Sequence, residues 1–501
     1  MLLKDAIAHL DGIEAIGGNL SIPIEGISYD SRKVRRGHLF VAIKGEKVDG
    51  GRFIQDAISH GAAAVASENA VESHGQVTIL KVTDARRFLA QTSILYFGEP
   101  SSKLKLTAIT GTNGKTTSSY LMESIYGKAG LPSCLLGTIG IKINGKPFPT
   151  IHTTPESVDL MSFLQQAVTE GCTHGVLEVS SHALALKRVF GAKFAVAVFT
   201  NLTPDHLDFH KDMESYYLAK RLLFMPENQN NIQAAVINTD DPYGRRLLTE
   251  IRYATLTYGF NPTADVRVLK IGYRSDGTDL QIATPKGEMH FSSPLVGLPN
   301  IYNIMAVVGA ALALAIDAPT IREGIESLRS VPGRMESINA GQPFAVIVDY
   351  AHTPDALEKL LETVANLPHK SLITVFGCGG DRDRTKRPVM GEIATRISDC
   401  VIATSDNPRT EDPIKILAEI EAGLQKGHAS YTLVPNRRDA IAKALAMAGA
   451  GDVVVIAGKG HETYQTIGTQ SLPFDDRLVA QELILKLLNS DGVENKGEFT
   501  Q

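Results

Sequence analysis

Short apolar runs, each closed by a polar or glycine-rich turn, recur along this chain, and amphipathic stretches separate them. Leu39-Phe40-Val41-Ala42-Ile43 predicts a strand within 37–43. A helical pattern follows over 53–60, then a second strand at Ala63-Ala64-Val65-Ala66. Beyond the turn-rich Gly98-Glu99-Pro100-Ser101-Ser102, apolar strands are predicted at 104–110, 175–179, 194–200 and 234–238, with helices at 118–129 and around 213–224. Strands alternating with helices argue a mostly parallel sheet covered by helices. Residues 266–293 alternate with period two around Asp276-Gly277, the pattern of a β-hairpin. The apolar run from about Met305 to Ile316 is shorter than the ~18 residues a membrane span needs and reads as a buried helix.

After Val331-Pro332-Gly333 four further strands are predicted, at 345–348, 372–376, 400–404 and 453–457. Each runs into a polar turn: Asp349-Tyr350-Ala351-His352, Gly377-Cys378-Gly379-Gly380-Asp381, Asp406-Asn407-Pro408-Arg409 and Gly458-Lys459-Gly460-His461-Glu462. Ligands of open parallel sheets bind at the carboxyl ends of strands, so these turns are expected to converge on one cleft. A polar tail from Asn489 is expected to fray. The fold class is α/β with three domains: mixed α/β over 1–100, a central parallel sheet over 101–331 and a Rossmann-like domain over 332–501.

The most specific chemistry lies at Gly111-Thr112-Asn113-Gly114-Lys115-Thr116-Thr117, between a predicted strand and helix. In that setting backbone N–H groups and the positive helix end cradle phosphates. Lys115 can reach the β/γ oxygens, and the Thr116 hydroxyl can ligate Mg²⁺. The loop is a shortened P-loop, because Ile109 stands where the usual pattern has its first glycine. Glu178 ends a neighbouring strand and suits Mg²⁺, which prefers carboxylate and phosphate oxygens. Asp205, His206 and Asp208 offer further ligands after the next strand, although the two aspartates equally suit caps of the following helix. Lys220 reads from its own surroundings as an ordinary helix lysine. The hydroxyl run His152-Thr153-Thr154-Pro155 could contact a phosphate or sugar.

Composition narrows the setting. With 50 Lys and Arg against 55 Asp and Glu, the net charge of −5 leaves no broad basic field for nucleic acid. The four cysteines, Cys134, Cys172, Cys378 and Cys400, form no CxxC pair and are expected as reduced, mostly buried thiols. Met1-Leu2-Leu3-Lys4-Asp5 has no signal-peptide character, so a cytoplasmic protein is expected. In the third domain Arg382 and Arg409 can each clamp a carboxylate, while Asp406, Asn407 and Glu462 can receive an ammonium. Converging, they would suit a zwitterionic, amino-acid-like ligand; isolated, they would be surface salt bridges.

Taken together these motifs resemble the Mur ligase family, and within it the MurE type. The likeness runs through Tyr29-Asp30-Ser31-Arg32, Leu39-Phe40-Val41-Ala42, Gly111 to Thr117, Glu178-Val179-Ser180-Ser181-His182, Asp205-His206-Leu207-Asp208 and the segment around Lys220. It continues through Asn300 with Asn303, Gly333-Arg334-Met335-Glu336, Asp349 to Pro354, Gly377 to Arg382, Asp406 to Arg409 and Gly458 to Glu462. The resemblance implies an ATP-dependent amide ligase that activates UDP-MurNAc-L-Ala-D-Glu as an acyl phosphate and adds an amino acid, for peptidoglycan precursors. It implies Mg²⁺ held by Thr116, Glu178, His206 and a carbamylated Lys220. ATP contacts are implied at Gly111 to Thr117, Asn303, Arg334 and Asp349. The first domain would hold the uridine diphosphate near Ser28, Ser31 and 44–49, with Thr153, Thr154, Ser180, Arg188 and Lys220 toward the muramoyl-dipeptide. Leu186 departs from relatives that carry Gln there, so one contact to that substrate is lost or rerouted. In this family Asp-Asn-Pro-Arg marks enzymes adding meso-diaminopimelate, which points to Arg382, Asp406, Asn407, Pro408, Arg409, Gly458 and Glu462 as its site. A monomer acting on small molecules, with no nucleic-acid partner and no membrane span, is expected. Folylpolyglutamate synthases also join ATP-activated carboxylates to amino acids; the Asp406–Arg409 and Gly458–Glu462 turns and the full first domain argue against that reading. A P-loop ATPase acting on partner proteins would leave the four converging turns unexplained.

Overall fold

The computed structural model describes residues 1–8, 10–45, 48–72, 75–149, 152–274 and 277–494, without side chains from 490 onward. The chain divides into two compact units. One comprises Met1–Leu202, Asp212–Arg267 and Met305–Gly324; the other comprises Thr203–Lys211, Val268–Ile304 and Ile325–Gln501.

In the first unit, a five-stranded sheet has the order Ile13–Gly17, Thr78–Val82, Ala64–Ser67, His38–Ala42, Gly26–Ser28 among the described residues. All neighbours are parallel except the edge strand Ile13–Gly17. The predicted strands at 39–43 and 63–66 are present within one residue, and the helix at 53–60 spans Ile54–Ser59. Six strands of a larger sheet belong to the same unit and run Ala254–Gly259, Asn231–Asn238, Lys193–Phe199, Lys105–Thr110, His174–Glu178, Ser133–Leu136, all parallel; among the described residues the whole sheet has eleven strands, with antiparallel pairs toward its edges. The central strands are buried on both faces and so read as apolar runs. Lys105–Thr110 lies at the centre, so the loop after it opens at the middle of the sheet's carboxyl edge.

The second unit holds a sheet in the order Glu336–Ser337, Ala345–Asp349, Val453–Ala457, Leu372–Cys378, Cys400–Ser405, Ser430–Leu433. Its strands are parallel apart from the short Glu336–Ser337. Alternate strand residues feed two cores. Ile347, Val455 and Phe376 pack with the helices Pro354–Ala365, Lys386–Ile397 and Pro413–Leu424. Val348, Ile456 and Val375 pack with Arg437–Met447 and Asp476–Glu494. Chain order reverses between Val453–Ala457 and Leu372–Cys378, which is where an open parallel sheet offers a crevice.

One buried pair ties this sheet's carboxyl edge. Arg437 forks onto Asp476 at 2.7 and 2.6 Å, and both side chains are fully enclosed. The same guanidinium donates to the carbonyls of Ala457 (3.0 Å) and Ser405 (3.4 Å), the last residues of two strands. Arg437→Met would leave the Asp476 carboxylate buried and unpaired. A loss of about 3–5 kcal/mol is expected in denaturant titration, most of it recovered when Asp476→Leu is added.

Four expectations change. Residues 266–293 form three strands, Val266–Arg274, Gly277–Thr284 and Gly287–Ser293, because a second turn at Pro285-Lys286 interrupts the alternation. Asp276 of the expected Asp276-Gly277 turn lies outside the described residues, and Gly277 begins a strand. The apolar run at 305–316 belongs to the longer helix Leu298–Ala313. Helix Met213–Arg221 is capped by Asp212, whose Oδ1 accepts from the Ser215 amide, and neither Asp205 nor Asp208 caps it. The last helix continues past Asn489 to Glu494, so the expected fraying does not begin there. Among the described residues no helix is long and apolar enough to cross a membrane, and the four cysteines are free thiols.

Candidate active site

The loop Gly111 to Gly114 joins strand Lys105–Thr110 to helix Lys115–Lys128, as the glycine spacing predicts. Gly111 has φ +150°, and a Cβ there would lie 1.8 Å from Thr200 Oγ1, so only glycine fits. The loop is pinned to the exit of the next strand. Asn113 N donates to Asn201 Oδ1 (2.9 Å), Thr112 N donates to the Asn201 carbonyl (2.9 Å), and Thr200 Oγ1 donates to the Asn113 carbonyl (2.7 Å). Thr117 is buried in the helix's first turn.

Glu178 is fully buried at the end of its strand. Its Oε2 accepts from the hydroxyls of Thr116 and Thr138, each at 2.9 Å, and its Oε1 accepts from the Thr138 amide at 2.9 Å. A Cβ on Gly137 would come within 2.2 Å of Oε1, so this glycine makes room for the carboxylate. Thr138 escaped sequence reasoning; its only signal was a Gly-Thr turn at 137–138. Carboxylate plus two hydroxyls is an oxygen set that fits Mg²⁺ beside phosphate. Among the described residues no group of three His, Cys, Asp or Glu side chains gathers as a ready metal cage.

Lys220, unremarkable in its local sequence, is 1% exposed. Its Nζ donates to the Gly111 carbonyl at 2.8 Å and lies 4.6 Å from the Tyr216 ring centre. Lys115 Nζ donates to the same carbonyl, also at 2.8 Å. Two ammonium groups therefore share one oxygen inside the P-loop.

The hydroxyl run joins this cluster. Thr138 Oγ1 lies 3.1 Å from Thr153 Oγ1, and Thr154 Oγ1 donates to the Glu178 carbonyl (2.8 Å) and lies 3.3 Å from Ser180 Oγ. Arg188 donates to the Thr154 carbonyl (3.0 Å) and to Glu156 Oε2 (3.3 Å). Arg86 donates to that same Glu156 oxygen (3.3 Å) and to the Lys44 carbonyl (2.9 Å), which connects the first sheet to the second. At the carboxyl ends of adjacent strands His38–Ala42 and Ala64–Ser67, a cleft of about 110 Å³ is lined by Ala42, Lys44, Asp49, Ser67, Glu68 and Asn69. Glu46 and Lys47 of the expected segment lie outside the described residues. Ser28 and Ser31 are buried but not part of this lining; Ser28 Oγ donates to the Asp30 carbonyl at 2.8 Å. Leu186 is half-buried and follows the short helix Ser181–Ala185.

His206 belongs to the second unit, where it is 45% exposed with φ +54° and its Nε2 is 3.4 Å from Asp205 Oδ2. Asn303, Arg334 and Asp349 lie there too. Asn303 Nδ2 donates to Asn300 Oδ1 at 3.2 Å. Asp349 accepts the amides of Met335 and Ala351 at 2.7 Å each, and burial raises its pKa against the pull of Arg334. Arg334 lies over the Tyr350 ring at 4.7 Å, and that ring contacts the rings of His352 (4.6 Å) and His461 (4.9 Å). Burial and the charges of Arg334 and Arg477 push His461 down to about 3. The folded state therefore resists a proton that the unfolded chain accepts near pH ~6.5. This stability is complete above pH ~6.5 and is lost as pH falls toward 3, about 2 kcal/mol of it by pH 5. His461→Gln should flatten the pH dependence of the unfolding free energy by that amount.

The four strand-end turns do meet. Asn407 Nδ2 donates to Glu462 Oε2 (2.8 Å), and a Cβ on Gly380 would lie 1.9 Å from the Pro408 carbonyl. Tyr350 stacks on His461, and a Gly458 Cβ would lie 2.8 Å from Asp406 Oδ2. Arg409 has φ +50°; its Nη1 donates to the Gly380 carbonyl at 2.8 Å. Its backbone is held by Thr466 O (3.0 Å) and Gly468 N (2.7 Å). Asp406 Oδ1 accepts the Asn407 amide at 2.6 Å. Arg382 is exposed and donates to the Asp381 carbonyl at 3.0 Å. Lys459, quoted in its motif but given no role, is fully buried.

A parallel α/β protein with a P-loop-type turn, and a second parallel sheet whose strand-end turns mix guanidinium and carboxylate, is the class these sites define. The Mur ligase middle domain matches residues 109–311, the Mur ligase glutamate ligase domain 333–460, and the Mur ligase catalytic domain 23–96. The chain belongs to the Mur ligase family. It is 49% identical over 467 residues to a UDP-N-acetylmuramoyl-L-alanyl-D-glutamate--2,6-diaminopimelate ligase of Gloeobacter violaceus, covering 93% of this chain and 94% of that one. To the protein of the same name from Geobacter metallireducens it is 46% identical, covering 95% and 97%. A solved structure of a ligase of that name matches with TM-score 0.70 at 34% identity, over 97% of this chain and 99% of the other.

Proposed function

We propose that this chain is an ATP-dependent ligase that joins meso-diaminopimelate to UDP-MurNAc-L-Ala-D-Glu in the cytoplasm, as a monomer, for peptidoglycan precursor synthesis. The observation that carries the reading is the meeting of the Asp406–Arg409 and Gly458–Glu462 turns at the carboxyl edge of one parallel sheet, in a chain that also has a P-loop. Segments 1–100, 101–331 and 332–501 act as the uridine-diphosphate, ATP and amino-acid domains.

The terminal carboxylate of the dipeptide attacks the γ-phosphorus of ATP, and ADP leaves. The amine of the amino acid then attacks the acyl carbon, phosphate departs, and the amine loses its proton. Gly111 to Thr117 cradle the phosphates, and Lys115 offsets charge on the transferring group. Mg²⁺, when bound, would neutralise phosphate charge. Thr116, Glu178 and a carbamate on Lys220 would hold it. The two ammonium groups at the Gly111 carbonyl support carbamylation: the Lys220 ammonium loses one proton, its amine adds CO₂ and loses a second, and the resulting carbamate turns repulsion between Lys115 and Lys220 into attraction. Thr153, Thr154, Ser180 and Arg188 position the muramoyl-dipeptide, and the polar cleft beside Lys44 and Asp49 takes the uridine diphosphate. Asn303, Arg334 and Asp349 contribute to nucleotide binding. A coupled assay of ADP release tests the scheme. Sustained turnover is expected only with ATP, dipeptide nucleotide and amino acid together; equal ADP release without the nucleotide substrate would refute it.

A further inference from the structure

Lys459 has a fully enclosed side chain. Its ammonium donates to Glu462 Oε2 at 2.8 Å and to Asn407 Oδ1 at 3.1 Å, and lies 5.6 Å from the centre of the Tyr464 ring. Asn407 Nδ2 donates to that same Glu462 oxygen at 2.8 Å, while Asn407 Oδ1 also accepts the Thr466 amide at 2.9 Å. The three side chains close a triangle. Every polar atom of the Asn407 amide is turned one way by it, and Glu462 Oε2 takes two donors. Among the described residues Glu462 Oε1 accepts no hydrogen bond, so it is the oxygen left for a ligand ammonium. A buried ammonium is expensive to desolvate, and an apolar residue of similar volume is often as stable. Its presence beside two candidate ligand-binding side chains points away from simple packing.

The charges of the turns give it a second effect. The Lys459 ammonium offsets the charge of the Glu462 carboxylate it bonds; without it that carboxylate stands uncompensated. L-Lysine differs from meso-diaminopimelate by lacking one carboxylate, so it carries one more net positive charge. An uncompensated carboxylate in the wall of a partly desolvated site favours the more cationic amino acid, and pairing with a fixed ammonium removes that preference. We propose that Lys459 is a positioning residue that aims Asn407 and Glu462 and sets the charge selectivity of the amino-acid site against cationic substrates. This rests on the ligase reading above.

The test is the ratio of kcat/KM for meso-diaminopimelate to that for L-lysine, at fixed ATP and UDP-MurNAc-L-Ala-D-Glu. In Lys459→Met the ratio should fall about tenfold or more, and in Lys459→Arg, which keeps the charge, it should stay within about threefold of the unaltered enzyme. Lys459→Gln keeps a donor without the charge and carries the test if Lys459→Met does not fold; its ratio should also fall. The KM for ATP should move by less than about twofold, which a general loosening of the unit would not respect. Equal losses for both amino acids in the Met or Gln variant, with the ratio unmoved, would overturn the proposal. An unaltered enzyme that ligates neither amino acid would overturn the ligase reading itself, and this proposal with it.

Discussion

Lys220→Ala should lose turnover by on the order of 10²–10³-fold or more, the cost of removing a group that would hold Mg²⁺ opposite a developing phosphoryl charge. ATP should still bind, because Gly111 keeps its contact to Lys115 and the loop remains tied to Thr200 and Asn201. Two controls separate a carbamate from a plain ammonium. Lys220→Arg keeps a cation but cannot form the carbamate, so it should be as inactive as the alanine variant. Formate or high bicarbonate should partly restore Lys220→Ala, since a small anion can take the place of the carbamate. Steady-state kinetics decides it, and an active Lys220→Arg would show that the positive charge is what matters.

Arg409→Ala should raise the KM for meso-diaminopimelate by about 30-fold or more, because losing a charge-assisted pair in a desolvated pocket costs about 2–5 kcal/mol. The loop should survive. Its shape is set by backbone bonds from Arg409 to Thr466 and Gly468, which alanine keeps, and the left-handed φ of +50° is no worse for alanine than for arginine. The KM for ATP should hardly change. The gap between meso-diaminopimelate and lysine should narrow, since lysine no longer leaves a guanidinium unpaired. Kinetics with both amino acids checks this; equal effects on both would remove Arg409 from the specificity site.

The strands that carry the site were legible because they are buried on both faces. Lys105–Thr110, His174–Glu178, Leu372–Cys378 and Val453–Ala457 are near-continuous apolar runs, and polar turns close each of them. Edge strands were not. Ile13–Gly17 is largely solvent-facing, Ser430–Leu433 is only half-buried, and neither carries such a run. The phosphate loop could be read from its glycines, since their spacing is dictated by local backbone geometry. Lys220 could not, because its burial depends on an approach to Gly111 from 109 residues away. Arg437 with Asp476 and Thr138 with Glu178 escaped for the same reason: each pair is formed by the fold, and no short-range pattern announces it. The cap of helix Met213–Arg221 shows a subtler limit, because three aspartates lie within reach and only backbone geometry selects Asp212.

Mass spectrometry of the nucleotide product tests the central claim most directly. The enzyme would be given ATP, Mg²⁺, UDP-MurNAc-L-Ala-D-Glu and, in separate reactions, meso-diaminopimelate, L-lysine, D-glutamate and D-alanine. The nucleotide should gain the mass of one diaminopimelate less one water, with ADP and phosphate formed in equal amounts, and lysine should react far more slowly. A product richer in lysine would contradict the amino-acid assignment, and no ATP-dependent gain in mass with any of the four would contradict the ligase itself.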